Sequence, residues 1–130
     1  MPGAAHLVEA LHRRGIPLAI GTSSTRELAE LKLSAQPFAA CFQAMACSDD
    51  PGVTAAKPAP DVFLLAAERL GAAPEGCLVF EDTPKGVAAA RAAGMQVVAI
   101  PDPRMAGRDF EHAQLVLHSL EQVTLQILGL

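Results

Sequence analysis

Apolar positions along the chain switch repeatedly between a helical period and short unbroken runs. Leu7, Val8 and Leu11 recur at helical spacing over residues 4–14, and Gly15 ends the run. Residues 17–21 (Pro-Leu-Ala-Ile-Gly) form a short apolar run of strand type. Helical spacing returns over 25–33 with Leu28 and Leu31, and 42–47 reads as a further strand. Residues 48–60, rich in Asp, Pro, Gly and Thr, read as a loop. Pro60 and Asp61 open a helix that runs to residue 70 and stops at Gly71. The run 77–80 predicts a strand, and the alanine-rich pattern 84–93, closed by Gly94, predicts the helix after it. Strands at 96–100 and 114–117 and a terminal helix over 120–128 complete the pattern.

Continuous apolar strands alternating with helices predict an α/β fold: a doubly wound parallel sheet covered on both faces. The 130 residues suffice for one domain with one sizeable core, and neither a repeat nor a linker divides residues 1–130. Apolar residues make up 51% of the chain, which argues against disorder. The formal charge is −4 and no basic cluster exceeds Arg13-Arg14, so nucleic acid is not an expected partner. No apolar run approaches the ~20 residues of a membrane span. The opening Met1-Pro2-Gly3-Ala4 does not read as a signal peptide. Cys41, Cys47 and Cys77 form an odd set without a CxxC pair, as expected of reduced thiols in a cytoplasmic protein. His6, His12, His112 and His118 fall at spacings that bring no pair onto one face, and read as surface or boundary residues.

Three predicted strand ends carry unusual polar groups. The strand 77–80 runs straight into Glu81-Asp82, and open α/β sheets place their ligands at such C-terminal ends. Paired carboxylates suit a hard cation such as Mg²⁺; they also serve as helix caps or solvent-facing acids. Gly21-Thr22-Ser23-Ser24 follows the strand 17–21, so hydroxyls and free N–H groups sit at a helix start. That is an anion site, or an ordinary Ser/Thr N-cap. Lys57-Pro58-Ala59-Pro60-Asp61 fixes a lysine before a helix; it reads as a stationary positive charge for a phosphate, or as a surface lysine.

A hydroxyl, a lysine and an acidic pair, in that order at three strand ends, resemble the haloacid dehalogenase-like (HAD) phosphohydrolases. Thr22 matches the family's second motif, Lys57 its third, and Glu81-Asp82 its fourth. The strings Lys57-Pro-Ala-Pro-Asp61 and Val79-Phe-Glu-Asp-Thr-Pro-Lys-Gly86 are similar to the subfamily of pseudouridine-5′-phosphatase and β-phosphoglucomutase. The resemblance implies a HAD-like Rossmannoid core, phosphate held by Thr22, Ser23 and Lys57, Mg²⁺ held by Asp82 and Glu81, and a small phosphorylated metabolite as substrate.

The family's first motif, Asp-x-Asp-x-Thr, is not found. The six aspartates stand at 49, 50, 61, 82, 102 and 109, and no two lie two positions apart. The family's nucleophile and its general acid therefore have no counterpart here, nor has the helical cap that follows its first strand. The resemblance implies the C-terminal part of a longer phosphatase: a short isoform, a truncated gene model or a diverged paralogue. It implies an incomplete sheet lacking the central first strand. Several backbone hydrogen bonds at roughly 1 kcal/mol each would go with that strand, leaving a marginal fold or one completed by a partner chain. It implies weak Mg²⁺ binding and no turnover by this chain alone.

The alternative reading is a non-catalytic module that binds phosphate or protein. A receiver-like signalling domain fits less well, because receivers place the acids before the lysine. A dinucleotide site is disfavoured because no G-x-G-x-x-G follows a strand.

Overall fold

The computed structural model describes residues 2–105, 110 and 113–130. His112 and Asp109 lie outside the described residues. The order is α1 (Ala4–Arg13), β1 (Ala19–Gly21), α2 (Arg26–Ser34), β2 (Ala44–Ala46), α3 (Asp61–Leu70), β3 (Leu78–Glu81), α4 (Pro84–Ala92), β4 (Gln96–Ala99) and β5 (Leu115–Val116). Short 3₁₀ turns at Ala39–Cys41, Pro74–Gly76, Pro103–Met105 and Leu120–Gln122 punctuate it.

Every strand pair is parallel. β1 pairs with β2, Ile20 opposite Met45. β3 pairs with β4, Val79 opposite Val97, and β4 with β5, Val98 opposite Leu115. The pairing yields two sheets, β1-β2 and β3-β4-β5. β1 and β3 each keep one edge without a strand partner among the described residues. The expected α/β class and the incomplete sheet are therefore both present.

Because successive strand residues face opposite sides, β4 divides the core in two. Val97 and Ala99 pack with Val62, Phe63, Ala66 and Ala67 of α3 and with Val87, Ala89 and Ala90 of α4. Val98 and Ile100 face the other way, onto Leu7 and Leu11 of α1 and onto Leu120 and Val123. Burial on both faces explains why β4 reads as a continuous apolar run rather than an alternation. α3 lies across β1 and β2, and α4 across β3 and β4.

The strand expected at 17–21 is confined to Ala19–Gly21, and that at 42–47 to Ala44–Ala46. The terminal helix expected over 120–128 is not continuous. Ser119 builds a capping box with Gln122, but Val123 is extended (φ −81°, ψ 118°) and buried in the second core, which breaks the helix. The backbone then resumes a turn in which Thr124 Oγ1 accepts from the Ile127 N–H, and the turn closes at Gly129 with φ +76°. Burying Val123 prevailed over the helical spacing of the leucines. His6, His12 and His118 are exposed, as their spacing indicated.

Candidate phosphate and cation site

β1 brings its C-terminal end close to α3. A Cβ on Gly21 would stand 2.7 Å from Phe63 Cδ1, so only glycine permits the approach. The Thr22 N–H extends the ladder to Ala46 O at 3.0 Å. Thr22 Oγ1 accepts from the Ser24 N–H at 3.1 Å, which leaves its own O–H to donate elsewhere. The hydroxyls here do not cap α2. Thr25 at the N-cap makes no side-chain capping bond; Asp49 Oδ1 instead accepts from the Arg26 N–H at 2.8 Å.

Lys57 reaches the same rim from the loop before α3, next to a cis Lys57–Pro58 peptide. Its ammonium donates to Glu81 Oε2 at 2.9 Å and to Gly21 O at 3.3 Å, and lies 4.5 Å from the centre of the Phe63 ring. An ammonium has three donors, so one N–H remains beyond these two acceptors. The side chain is only 11% exposed, so this is no ordinary surface lysine.

The two acids behave differently. Glu81 is buried, with Oε2 on Lys57 and Oε1 accepting from the Asp82 N–H at 3.1 Å and from the Thr83 hydroxyl at 3.3 Å. Burial alone would raise its pKa, but the Lys57 charge and these donors hold it below the ordinary carboxylate value. Its carboxyl lies flat against Gly86, where an added Cβ would overlap Glu81 Cδ. Asp82 is half-buried, and burial together with the neighbouring Glu81 charge pushes it up to about 6. Thr83 Oγ1 caps α4 by accepting from the Gly86 N–H at 3.0 Å.

Thr22, Ser23, Lys57 and Asp82 line one cavity of about 570 Å³, together with Ser24, Thr25, Leu28 and Thr83. Glu81 stands behind this wall and does not line it. The cavity thus combines five hydroxyls, one ammonium with a spare donor, and one carboxylate. A second cavity of about 660 Å³ shares Thr22 and Ser24 but runs between α1 and α2 over Ile20, Ala29, Leu33 and Met45. Among the described residues no three His, Cys, Asp or Glu converge on a common point.

One polar cluster was not anticipated from the sequence. Buried Asp50 accepts from Arg26 Nε at 3.0 Å and Nη2 at 2.7 Å, from Arg69 Nη1 at 2.7 Å and from the Cys47 N–H at 2.9 Å. The Arg26 fork, opposing the cost of burial, holds the Asp50 carboxyl well below the usual range. This cluster ties α2, β2 and α3 together at the base of the loop that carries Lys57. Its partners lie 24 and 19 residues away in sequence, so local pattern gave no signal for it.

A family model described as haloacid dehalogenase-like hydrolase matches residues 1–94. A Drosophila melanogaster protein named "Probable pseudouridine-5′-phosphatase" is 45% identical over 134 residues, covering 100% of this chain and 58% of its own length. Hexitol phosphatase A of Escherichia coli is 40% identical, over 95% of this chain and 56% of its own length. The chain therefore spans a little over half of these two relatives. Among solved structures, CbbY from Rhodobacter sphaeroides in complex with phosphate superposes with a TM-score of 0.86 at 31% identity, over 93% of this chain and 54% of that one. A HAD phosphatase from Thermococcus onnurineus gives 0.85 at 31% identity, over 99% and 58%.

Proposed function

Because this chain belongs to the haloacid dehalogenase-like hydrolases, we propose that its cavity is the phosphate-holding side of a Mg²⁺-dependent phosphate monoester hydrolase. The observation that carries this is the convergence of Thr22, Ser23, Lys57 and Asp82 on one cavity at the C-terminal rims of β1 and β3. Residues 1–130 act in this reading as one partial core.

Each side chain has a distinct task. The Thr22 hydroxyl, its oxygen already accepting from Ser24, donates to a phosphoryl oxygen. The spare N–H of Lys57 adds a charge-assisted bond to the same group, held in place by Glu81. Ser23 is exposed beside Thr22 and supplies a second hydroxyl. The donor set also suits a hard cation in part: Asp82 is a single carboxylate facing the cavity, and Mg²⁺ is held by one or two carboxylates plus water and substrate oxygens. Asp82 would hold the ion. Both Glu81 oxygens are engaged by protein donors, so Glu81 orients Lys57 rather than sharing that role. When bound, Mg²⁺ neutralises charge on the phosphoryl oxygens.

These 130 residues contain no Asp-x-Asp. We therefore infer that they bind phosphate without hydrolysing its esters, and that the attacking aspartate comes from another part of a longer polypeptide or from a partner chain. Absence of that motif equally favours a phosphate-binding module that never turns over. Among substrates, a small sugar or nucleotide monophosphate is the expected class. Pseudouridine 5′-phosphate is the candidate suggested by the Drosophila relative.

The test is calorimetric titration with inorganic phosphate, with and without Mg²⁺, beside an assay with p-nitrophenyl phosphate. Saturable phosphate binding lost in Lys57→Ala, a Mg²⁺ enhancement lost in Asp82→Asn, and no hydrolysis above background are expected. Absence of phosphate binding removes the reading. Mg²⁺-dependent hydrolysis abolished by Asp82→Asn would overturn the inference of inactivity.

A further inference from the structure

The loop that delivers Lys57 is closed by one carboxylate oxygen. Asp61 Oδ2 accepts from the Thr54 N–H at 2.9 Å, from the Thr54 hydroxyl at 2.9 Å and from the Ala55 N–H at 3.0 Å. All three donors stand before Lys57 and the acceptor stands after it, so the bonds gather residues 54–61 into a closed loop with Lys57 between its ends. A further backbone bond, Ala59 N–H to Ala56 O at 2.9 Å, tightens the same turn. Thr54, Ala55 and Ala56 are exposed, so no apolar packing holds this part of the loop. Asp61 is also the first residue of α3, whose Phe63 lies beneath the Lys57 ammonium.

We propose that Asp61 is a positioning residue: by binding Thr54 and Ala55 it fixes the loop so that Lys57 reaches both Glu81 and the cavity. Asp61 does not line that cavity. The proposal deepens the phosphate-site reading and rests on it for its functional consequence, but the placement of Lys57 is measurable without any ligand. A competing role is simple helix stabilisation, since an acid in the first turn of α3 favours the helix dipole. The two differ in what they need from the side chain. Loop closure needs an acceptor oxygen, which asparagine retains; dipole stabilisation needs the negative charge, which asparagine lacks.

The experiment compares Asp61→Ala, Asp61→Asn and Thr54→Val with the wild type. Each is treated briefly with acetic anhydride, and acetylation of Lys57 is measured by peptide mass spectrometry against the exposed Lys32 and Lys85. Melting temperature is followed in parallel. Asp61→Ala is expected to raise Lys57 labelling about tenfold, as the acceptor of all three loop-closing hydrogen bonds is lost. Asp61→Asn should stay within about twofold of wild type, and Thr54→Val, which loses one donor of three, should fall between. Inorganic phosphate should bind about tenfold more weakly to Asp61→Ala and near-normally to Asp61→Asn. Equal labelling of Asp61→Asn and Asp61→Ala overturns the proposal in favour of the helix-charge role. Unchanged labelling in Asp61→Ala also overturns it. Should Asp61→Ala fail to fold, Thr54→Val decides: raised Lys57 labelling at wild-type melting temperature supports the proposal, and unchanged labelling removes it. Absence of phosphate binding in the wild type sinks the phosphate reading and leaves the labelling result to decide the role of Asp61.

Discussion

Replacing Lys57 by Met removes a charge from a pair that water scarcely reaches. The Lys57 and Glu81 side chains are 11% and 9% exposed, with a 2.9 Å contact. Breaking a buried pair by deleting one partner costs about 3–5 kcal/mol, because the surviving charge is left unpaired. Glu81 keeps two other donors, the Asp82 N–H and the Thr83 hydroxyl, so the lower end, about 3 kcal/mol, applies. Removing both charges in Lys57→Met/Glu81→Gln leaves no orphan and should cost less, about 1 kcal/mol. For a chain of this size about 3 kcal/mol corresponds to roughly a 10 °C fall in melting temperature. The assay is thermal denaturation followed by far-UV circular dichroism at pH 8 and pH 5. In the wild type the Glu81 pKa is lowered, so its contribution is present above the unfolded carboxylate pKa and is lost as pH falls through the folded one. In Lys57→Met the attraction of the Lys57 charge is gone, so burial raises the Glu81 pKa above its wild-type position despite the two remaining donors, and protonation relieves the unpaired charge as pH falls. The gap between wild type and Lys57→Met should therefore narrow from pH 8 to pH 5. A double variant less stable than the single one at pH 8, or a gap independent of pH, would refute the reasoning.

Three other outcomes are expected. Asp50→Asn should lower stability by about 2–3 kcal/mol, below the cost of a fully buried pair because the Arg26 and Arg69 side chains are about one-third exposed and regain water. Since Asp50 titrates below the usual range, denaturation curves of wild type and Asp50→Asn should converge as pH falls below about 4, and parallel curves down to pH 3 would exclude this. Gly86→Ala should cost about 1–3 kcal/mol by forcing the Glu81 carboxyl aside, and should weaken phosphate binding with it; a variant matching wild type in both calorimetry and melting would contradict the packing. Thr22→Val, which keeps the shape and removes the hydroxyl, should weaken inorganic phosphate binding about tenfold in titration while leaving the melting temperature within a few degrees.

Much of this arrangement was legible in the chain. The elements α1, α3, α4, β3 and β4 follow from periodicity and from glycines 15, 71 and 94 at the expected ends. Thr22, Ser23 and Asp82 were singled out from their places after strands and Lys57 from its place before a helix, and those places bring them to one cavity. The inward turn of Glu81 was not legible, because adjacency to Asp82 says nothing about which acid meets a lysine 24 residues earlier. The capping of α2 by Asp49 was hidden for the same reason: Thr25 stands at the right position, yet a loop acid 23 residues away makes the bond. The terminal helix failed because the leucine spacing satisfies a helix while Val123 gains more by packing beside Leu120. Local pattern predicts elements and their order. Contacts between distant segments decide which polar group finds which.

The flanks of β1 and β3 that no strand covers among the described residues have a further consequence for handling the protein. Each flank presents amide and carbonyl groups that another polypeptide can zip onto, the usual origin of self-association in sheet proteins. Here the unpaired rows are brief, three half-buried residues on β1 and four on β3 of which Glu81 is buried, so a stray pairing gains few bonds. Light scattering at rising protein concentration should accordingly show weak, reversible association rather than fibrils.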